Sequence, residues 1–206
     1  MPEDLNIIRQ TIATLDRSLI TYLGQRAQWA YSLDQYQPGW SFPYYKEVVG
    51  EGDARTVLDQ ILPAAEAKYT TFALPLLCAD TAPENGAVLE IDSMCIWAAL
   101  LRMHTSTKLI QAKFRLGIGD LRDAINASDP ARIRQAIEAT QTTDETQISQ
   151  ALAVATTFAR RNRSPLVPLM HLPDAIEELY RSWILPQTRR LQYLWTLHYY
   201  SIPDCG

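Results

Sequence analysis

Arg102 and Lys113 are cations set into a stretch whose other residues call for burial. Eleven positions separate them. That is almost three helical turns, so both side chains leave one face, about 16 Å apart along the axis. The apolar stripe runs Ile91, Cys95, Ala98, Arg102, Leu109, Lys113, Leu116, so both cations interrupt the face meant for the core. A buried cation is costly unless an anion meets it. No fixed arrangement of carboxylates in the sequence supplies that anion, whereas a dianionic ligand would. Two more cations mark the first helix. Arg9 adjoins its stripe between Leu5 and Ile12, and Arg26 falls on it between Tyr22 and Ala30. Thr188 and Gln192 stand one turn apart just after Pro186. Each has a plain structural reading: an arginine at a helix edge snorkels to water, Thr188 caps a helix, and Gln192 is solvated. Taken together they describe a cationic pocket inside a helical bundle. It suits a compact acid with more than one carboxylate, because the planar arginine fork binds carboxylates bidentately.

The elements that hold these residues are helical nearly throughout. Leu5, Ile8, Ile12, Leu15, Leu19, Leu23, Ala30 and Leu33 step at helical intervals, predicting a first helix of about eight turns that ends at Gln37-Pro38-Gly39. Residues 41–52 are aromatic and irregular, with one short helical turn expected. A helix runs from Asp53 to about Thr70, bent or divided at Pro63. A loop spans Asp80 to Gly86, and the long central helix runs from about Leu89 to Leu116. Asp129-Pro130 is an N-cap followed by proline at the first helical position. Further helices are expected over Asp144 to Arg161 and Pro173 to Tyr200, the latter interrupted at Pro186. No alternating strand pattern emerges. The expected fold is an all-α bundle with long first and central helices.

Composition narrows the class. Nearly half the residues are apolar (47%) and the net charge is −4, which excludes a disordered chain and a basic nucleic-acid binder. Cys78, Cys95 and Cys205 have no paired spacing, so thiols in a reducing compartment are expected. The acidic start, Met1-Pro2-Glu3-Asp4, lacks the features of a secretion or transit signal, and no apolar run is long enough to cross a bilayer. A cytoplasmic protein without membrane or nucleic-acid partners is expected. His104, His171 and His198 lack metal-ligand spacing, and His104 is read as packed or solvated. The aromatic groups Trp40, Phe42, Tyr44, Tyr45 and Tyr193, Trp195, Tyr199, Tyr200 are read as packing or interface residues.

The spacing of Arg9, Arg26 and the Arg102–Lys113 pair resembles the helical, AroQ-class chorismate mutases. Small dimeric members carry, on one long helix, an Arg, a second Arg seventeen residues on, and a Lys eleven further. The first helix here keeps Arg9 and Arg26 at that interval but has Gln37 at the Lys position. The central helix keeps Arg102 and Lys113, but Asn85 stands seventeen before Arg102. Each half has lost part of the set and the two together complete one site. This resembles the eukaryotic-type branch, a fused duplicate of the small dimeric enzyme. Leu101-Arg102-Met103-His104 with Gln111-Ala112-Lys113-Phe114, and the segment from Leu179 through Leu194, resemble further stretches of that branch. The likeness covers the first helix and most of residues 91–200, but not residues 37–88.

The resemblance implies one domain over residues 1–206. Residues 1–90 would form a half with a degenerate site, and residues 91–206 a half carrying most of the active site. It implies a cofactor-free, metal-free isomerase of aromatic amino acid biosynthesis, in the shikimate pathway, converting chorismate to prephenate by a Claisen rearrangement. Arg9 and Arg102 would grip the two carboxylates. Lys113 and Gln192 would donate to the ether oxygen, and Thr188 would assist carboxylate binding. Glu145, with Gln141 one turn before it, would receive the ring hydroxyl; Asp144 with Thr140 is the alternative pair. A related pericyclic reaction on a chorismate derivative (isochorismate pyruvate lyase or aminodeoxychorismate mutase) would use the same pocket. So would a non-catalytic small-acid-binding or regulatory protein of the same fold. A homodimer and control by aromatic amino acids stay open.

Overall fold

The computed structural model describes residues 2–31, 34, 36–37, 40–41, 53–78, 88–139, 144–162 and 169–203. Among them every regular element is helical. Helix α1 (Pro2–Arg26) is followed by α2 (Asp53–Lys68), which passes through a π-helical turn (Tyr69–Ala73) into α3 (Leu74–Leu77). The central helix α4 (Val88–Leu116) leads to α5 (Leu121–Asn126), α6 (Pro130–Glu138) and α7 (Asp144–Arg161). A 3-10 turn (Leu169–His171) then opens α8 (Leu172–Leu179), which runs through a second π-helical turn (Tyr180–Ile184) into α9 (Leu185–Tyr199). Asp129 caps α6 by accepting from the Arg132 N–H at 3.1 Å, with Pro130 at the first helical position. No helix among the described residues is long and apolar enough to cross a membrane.

Helices α1 and α4 form the axis of the bundle and run antiparallel. Along their contact Arg26 meets Asp92 and Asp16 meets Arg102. As numbers fall on α1 they rise on α4, which is the signature of opposed chains. The other helices pack on this pair. Gly24 lets α7 come close, since a Cβ there would lie 2.5 Å from the Phe158 ring. The main core joins Leu19, Ile20 and Leu23 of α1 to Leu58, Ile61 and Leu62 of α2, Cys95, Ile96 and Ala99 of α4, and Trp183 and Leu191 near the C-terminus. A second, smaller core at the other end gathers Ile110, Ile125, Ile133, Ile137, Tyr193 and Leu197.

Two sequence expectations need correction. The first helix stops at Arg26 rather than running on to Gln37-Pro38-Gly39. The backbone leaves the helix in a turn there, and the Arg26 guanidinium donates to the carbonyl of Trp29, only three residues on, at 2.8 Å. The expected turn within residues 41–52 lies outside the described residues, apart from Ser41. The C-terminal helix is not broken at Pro186. Proline has no N–H for the carbonyl of Ser182, and the helix answers by widening one turn earlier. The Leu185 N–H reaches the carbonyl of Tyr180, five residues back. The same device precedes Pro75, where the Leu74 N–H reaches the carbonyl of Tyr69. In both places Tyr precedes Leu-Pro by the same interval.

That repetition extends into the core. Tyr69 Oη donates to Asp92 Oδ1 at 2.5 Å, and Tyr180 Oη donates to Asp16 Oδ1 at 2.5 Å. The fold thus holds two like clusters, Arg26–Asp92–Tyr69 and Arg102–Asp16–Tyr180, each drawing its Arg and its Asp from opposite long helices. The first is sealed. Arg26 is fully buried, as is Asp92, and Tyr36 Oη closes the far side of that carboxylate at 2.6 Å. Burial works against the Arg26 charge, yet Asp92 and its other acceptors outweigh it and hold the guanidinium ionised. Burial also pushes the neighbouring Cys78 thiol up to about 12, so it receives an Arg26 N–H as a neutral thiol. Removing one member of such a pair strands the other charge. Asp92→Ala should therefore cost about 3–5 kcal/mol of stability, and Arg26→Met/Asp92→Leu clearly less than that single change. Guanidinium unfolding of the three proteins checks the ordering.

Candidate active site

Helix α4 supplies one wall of a pocket. Arg102, Ser106, Leu109, Ile110 and Lys113 recur at helical intervals and face the same cavity. Ile12 of α1, Gln147 of α7, and Leu185, Thr188, Arg189 and Gln192 of α9 close it. The π-helical turn before Pro186 sets the rotation of α9, and so helps decide which of its side chains turn inward.

Arg102 is the anchor. Its side chain is 1% exposed. Nε donates to Asp16 Oδ1 at 3.0 Å and one terminal nitrogen to Thr188 Oγ1 at 2.8 Å. The other terminal nitrogen donates to Gln147 Oε1. Thr188 can accept because its own hydroxyl proton is committed to the Ile184 carbonyl at 2.6 Å. Asp16 is held in turn by the Tyr180 hydroxyl, and the guanidinium carbon lies 5.9 Å from the Tyr180 ring centre. The fork is thus aimed before any ligand arrives, with its outer edge on a neutral amide. Gln192 is 7% exposed and fixed by one N–H to the Ser106 carbonyl at 3.0 Å. Its amide carries a second N–H for the cavity.

Lys113 is half-buried at the far end of the same wall. Burial lowers its pKa, and the charge of Arg9 lowers it further. Arg9 is exposed and stands one turn before Ile12 on the helix face that carries Asp16. It therefore sits at the edge of the pocket, on the side where Lys113 lies. The cavity itself measures about 50 Å³. That is room for a few waters, at about 10–15 Å³ each.

The structure brings Arg102, Lys113, Thr188 and Gln192 together and puts Arg9 at the rim. It does not bring Glu145 in. The Glu145 side chain is 67% exposed and paired with Arg181 at 2.7 Å on the surface. Residues two apart on a helix leave opposite faces, so Gln147, not Glu145, is the α7 residue that turns inward. Gln141 and the alternative Thr140 lie outside the described residues, as does Asn85; Asp144 begins α7. His104 is half-buried and does not contribute to the cavity wall; burial and then Lys108 lower its pKa.

Two functional residues escaped sequence reasoning. Gln147 has no motif that marks it. Asp16 supplies the anion for Arg102 that the sequence did not reveal, from 86 residues away. A signal existed: both long helices carry an Asp ten residues before the Arg, at Asp16 and Asp92. Two such helices laid antiparallel exchange both pairs.

Known proteins give one structural match and no sequence match. No protein-family model matches the chain, and no curated protein matches it. Among solved structures, Aro7p chorismate mutase from Candida albicans, in complex with L-Trp, superposes with a TM-score of 0.71. The alignment covers 100% of this chain and 96% of that chain at 15% identity. The fold is that of a chorismate mutase. An all-α bundle with long first and central helices is therefore the architecture of this chain. The alignment also takes in residues 37–88, where the sequence itself resisted alignment.

The electrostatics of the wall can be read directly. Lysine Nζ resonances followed across the alkaline range should show Lys113 deprotonating below the ordinary lysine value. Arg9→Gln should move it back part of the way only, because burial is the larger cause. An unshifted Lys113 in the intact protein would remove the picture of a half-desolvated donor beside Arg9.

Proposed function

We propose that this chain is a chorismate mutase, an isomerase converting chorismate to prephenate without a cofactor. The observation that carries the reading is the convergence of Arg102, Lys113, Thr188 and Gln192 on one pocket within this fold. The two like clusters further support reading the chain as a fused duplicate, with a closed site in its first half and a working site in its second. A cytoplasmic location in the aromatic amino acid route is part of the same reading.

The reaction is intramolecular. The protein has to hold a flexible ether compactly and stabilise charge as it grows on the ether oxygen. Arg102 suits one substrate carboxylate: its fork is held from behind by Asp16 and Thr188, while its outer nitrogen rests on the neutral Gln147 oxygen. A carboxylate would take the place of that oxygen and form the stronger, charge-assisted bond. Arg9 suits the second carboxylate at the rim. Lys113 and the second N–H of Gln192 supply the donors to the ether oxygen. Glu145 has no part in this scheme; Gln147, released from Arg102, is placed to meet the ring hydroxyl. The ligand needs several times the present cavity, so Gln147 and the rim side chains must move on binding.

Incubation of the protein with chorismate and identification of prephenate as product tests the reading; a different product would move it to a related pericyclic reaction. Variants and pH profiles test the assigned roles. Lys113→Ala should lower kcat by about 10²–10³-fold, as removal of a preorganised donor does. Gln147→Ala should lower kcat/KM clearly, while Glu145→Ala leaves it within about twofold, as expected of a surface change. The pH profile should be flat from pH 5 to 8, because the Gln192 amide does not titrate. Gln192→Glu should lose activity as pH rises through the carboxyl pKa, since only the protonated acid donates. On the alkaline side Lys113 donates while protonated. Its lowered pKa means kcat/KM falls as pH rises through a value below that of an ordinary lysine. A bound dicarboxylate raises that pKa again, so kcat should persist to higher pH.

A further inference from the structure

A roomier cavity than the pocket described above lies elsewhere among the described residues. It is an open groove of about 520 Å³ between α6 and α9. That volume lies in the range of about 300–1,000 Å³ that accepts a whole small ligand. Arg134 and Glu138 line it from α6, one turn apart. Pro186, Arg189, Arg190, Tyr193 and Leu194 line it from α9, with Ile137 at the base. Three cations thus face one carboxylate across an apolar, partly aromatic floor. The Arg134 guanidinium lies over the Tyr193 ring, 4.6 Å from its centre. Arg189 belongs to the wall of both cavities. The groove therefore adjoins the pocket that holds Arg102 and Lys113, with one arginine between them.

We propose that this groove is a binding site for small ring-bearing carboxylates and that it loads the anionic substrate into the pocket past Arg189. The ring would lie on Pro186 and Leu194, and the carboxylate would meet Arg134, seated over Tyr193, and Arg190. Positive side chains lining a concave surface raise the local concentration of an anion and its rate of capture. The loading role rests on the function proposed above; the binding role stands on the groove alone.

The test uses the intact protein and the double variant Arg134→Gln/Arg190→Gln, neither residue being part of the pocket wall. Titration with phthalate, followed by NMR, should shift the Arg134 and Arg190 side-chain signals and the Tyr193 ring. The double variant should bind phthalate at least about tenfold more weakly, whereas Lys113→Ala should bind it as the intact protein does. With chorismate at low salt, the double variant should show kcat/KM reduced by about tenfold with kcat unchanged, the loss shrinking as salt rises. Groove signals that do not move with phthalate overturn the proposal, and so does a double variant with unchanged kcat/KM. If the intact protein leaves chorismate untouched, the proposed function falls, and the phthalate titration decides the groove by itself.

Discussion

The antiparallel crossing of α1 and α4 is pinned by two reciprocal buried ion pairs, Arg26 with Asp92 and Asp16 with Arg102. In a low-dielectric interior an unmatched guanidinium is not tolerated, so the helices can settle only in registers that satisfy both pairs. A slip of one residue rotates each helix by about 100° and would part Arg from Asp. The tyrosines reinforce the choice. Each reaches one of the carboxylates from a π-widened turn, and each turn is followed by a proline that prevents a regular α-helical bond. Packing of the surrounding helices follows from this register.

The two clusters share a plan and differ in their outer contacts. Around Arg26 the last acceptors are Tyr36, Cys78 and the Trp29 carbonyl, drawn from packed core and a turn. Nothing there can be displaced without opening the core. Around Arg102 the outer acceptor is Gln147, a half-buried amide on a helix edge. A charged ligand can take its place, because a charge-assisted bond is stronger than a neutral one. Openness therefore depends on which side chain completes the guanidinium, and not on the Arg–Asp–Tyr core common to both.

Donors in the pocket are prepared in different ways. Arg102 and Gln192 are fixed by bonds to groups behind them, so little ordering remains when a ligand binds. Lys113 is destabilised as a cation by burial and by Arg9. An arriving anion relieves that destabilisation, which concentrates the electrostatic gain at the position proposed for the reacting oxygen.

The sequence by itself determined the helical class, the N-cap at Asp129, the extent of α4, and that Arg102, Lys113, Thr188 and Gln192 stand on faces where polar groups need a reason. Those features follow local period and capping, which neighbours along the chain set. It also suggested the fold, through the intervals joining Arg9 to Arg26 and Arg102 to Lys113. Only the tertiary structure decided that Asp16 answers Arg102, that Arg26 is sealed, that Gln147 rather than Glu145 turns inward, and that α1 ends at Arg26. Each of these is settled by the phase of one helix against another or by a contact between distant residues. Helical period alone leaves that phase undetermined, because a rotation of one helix by a fraction of a turn changes which side chain is buried without changing the pattern.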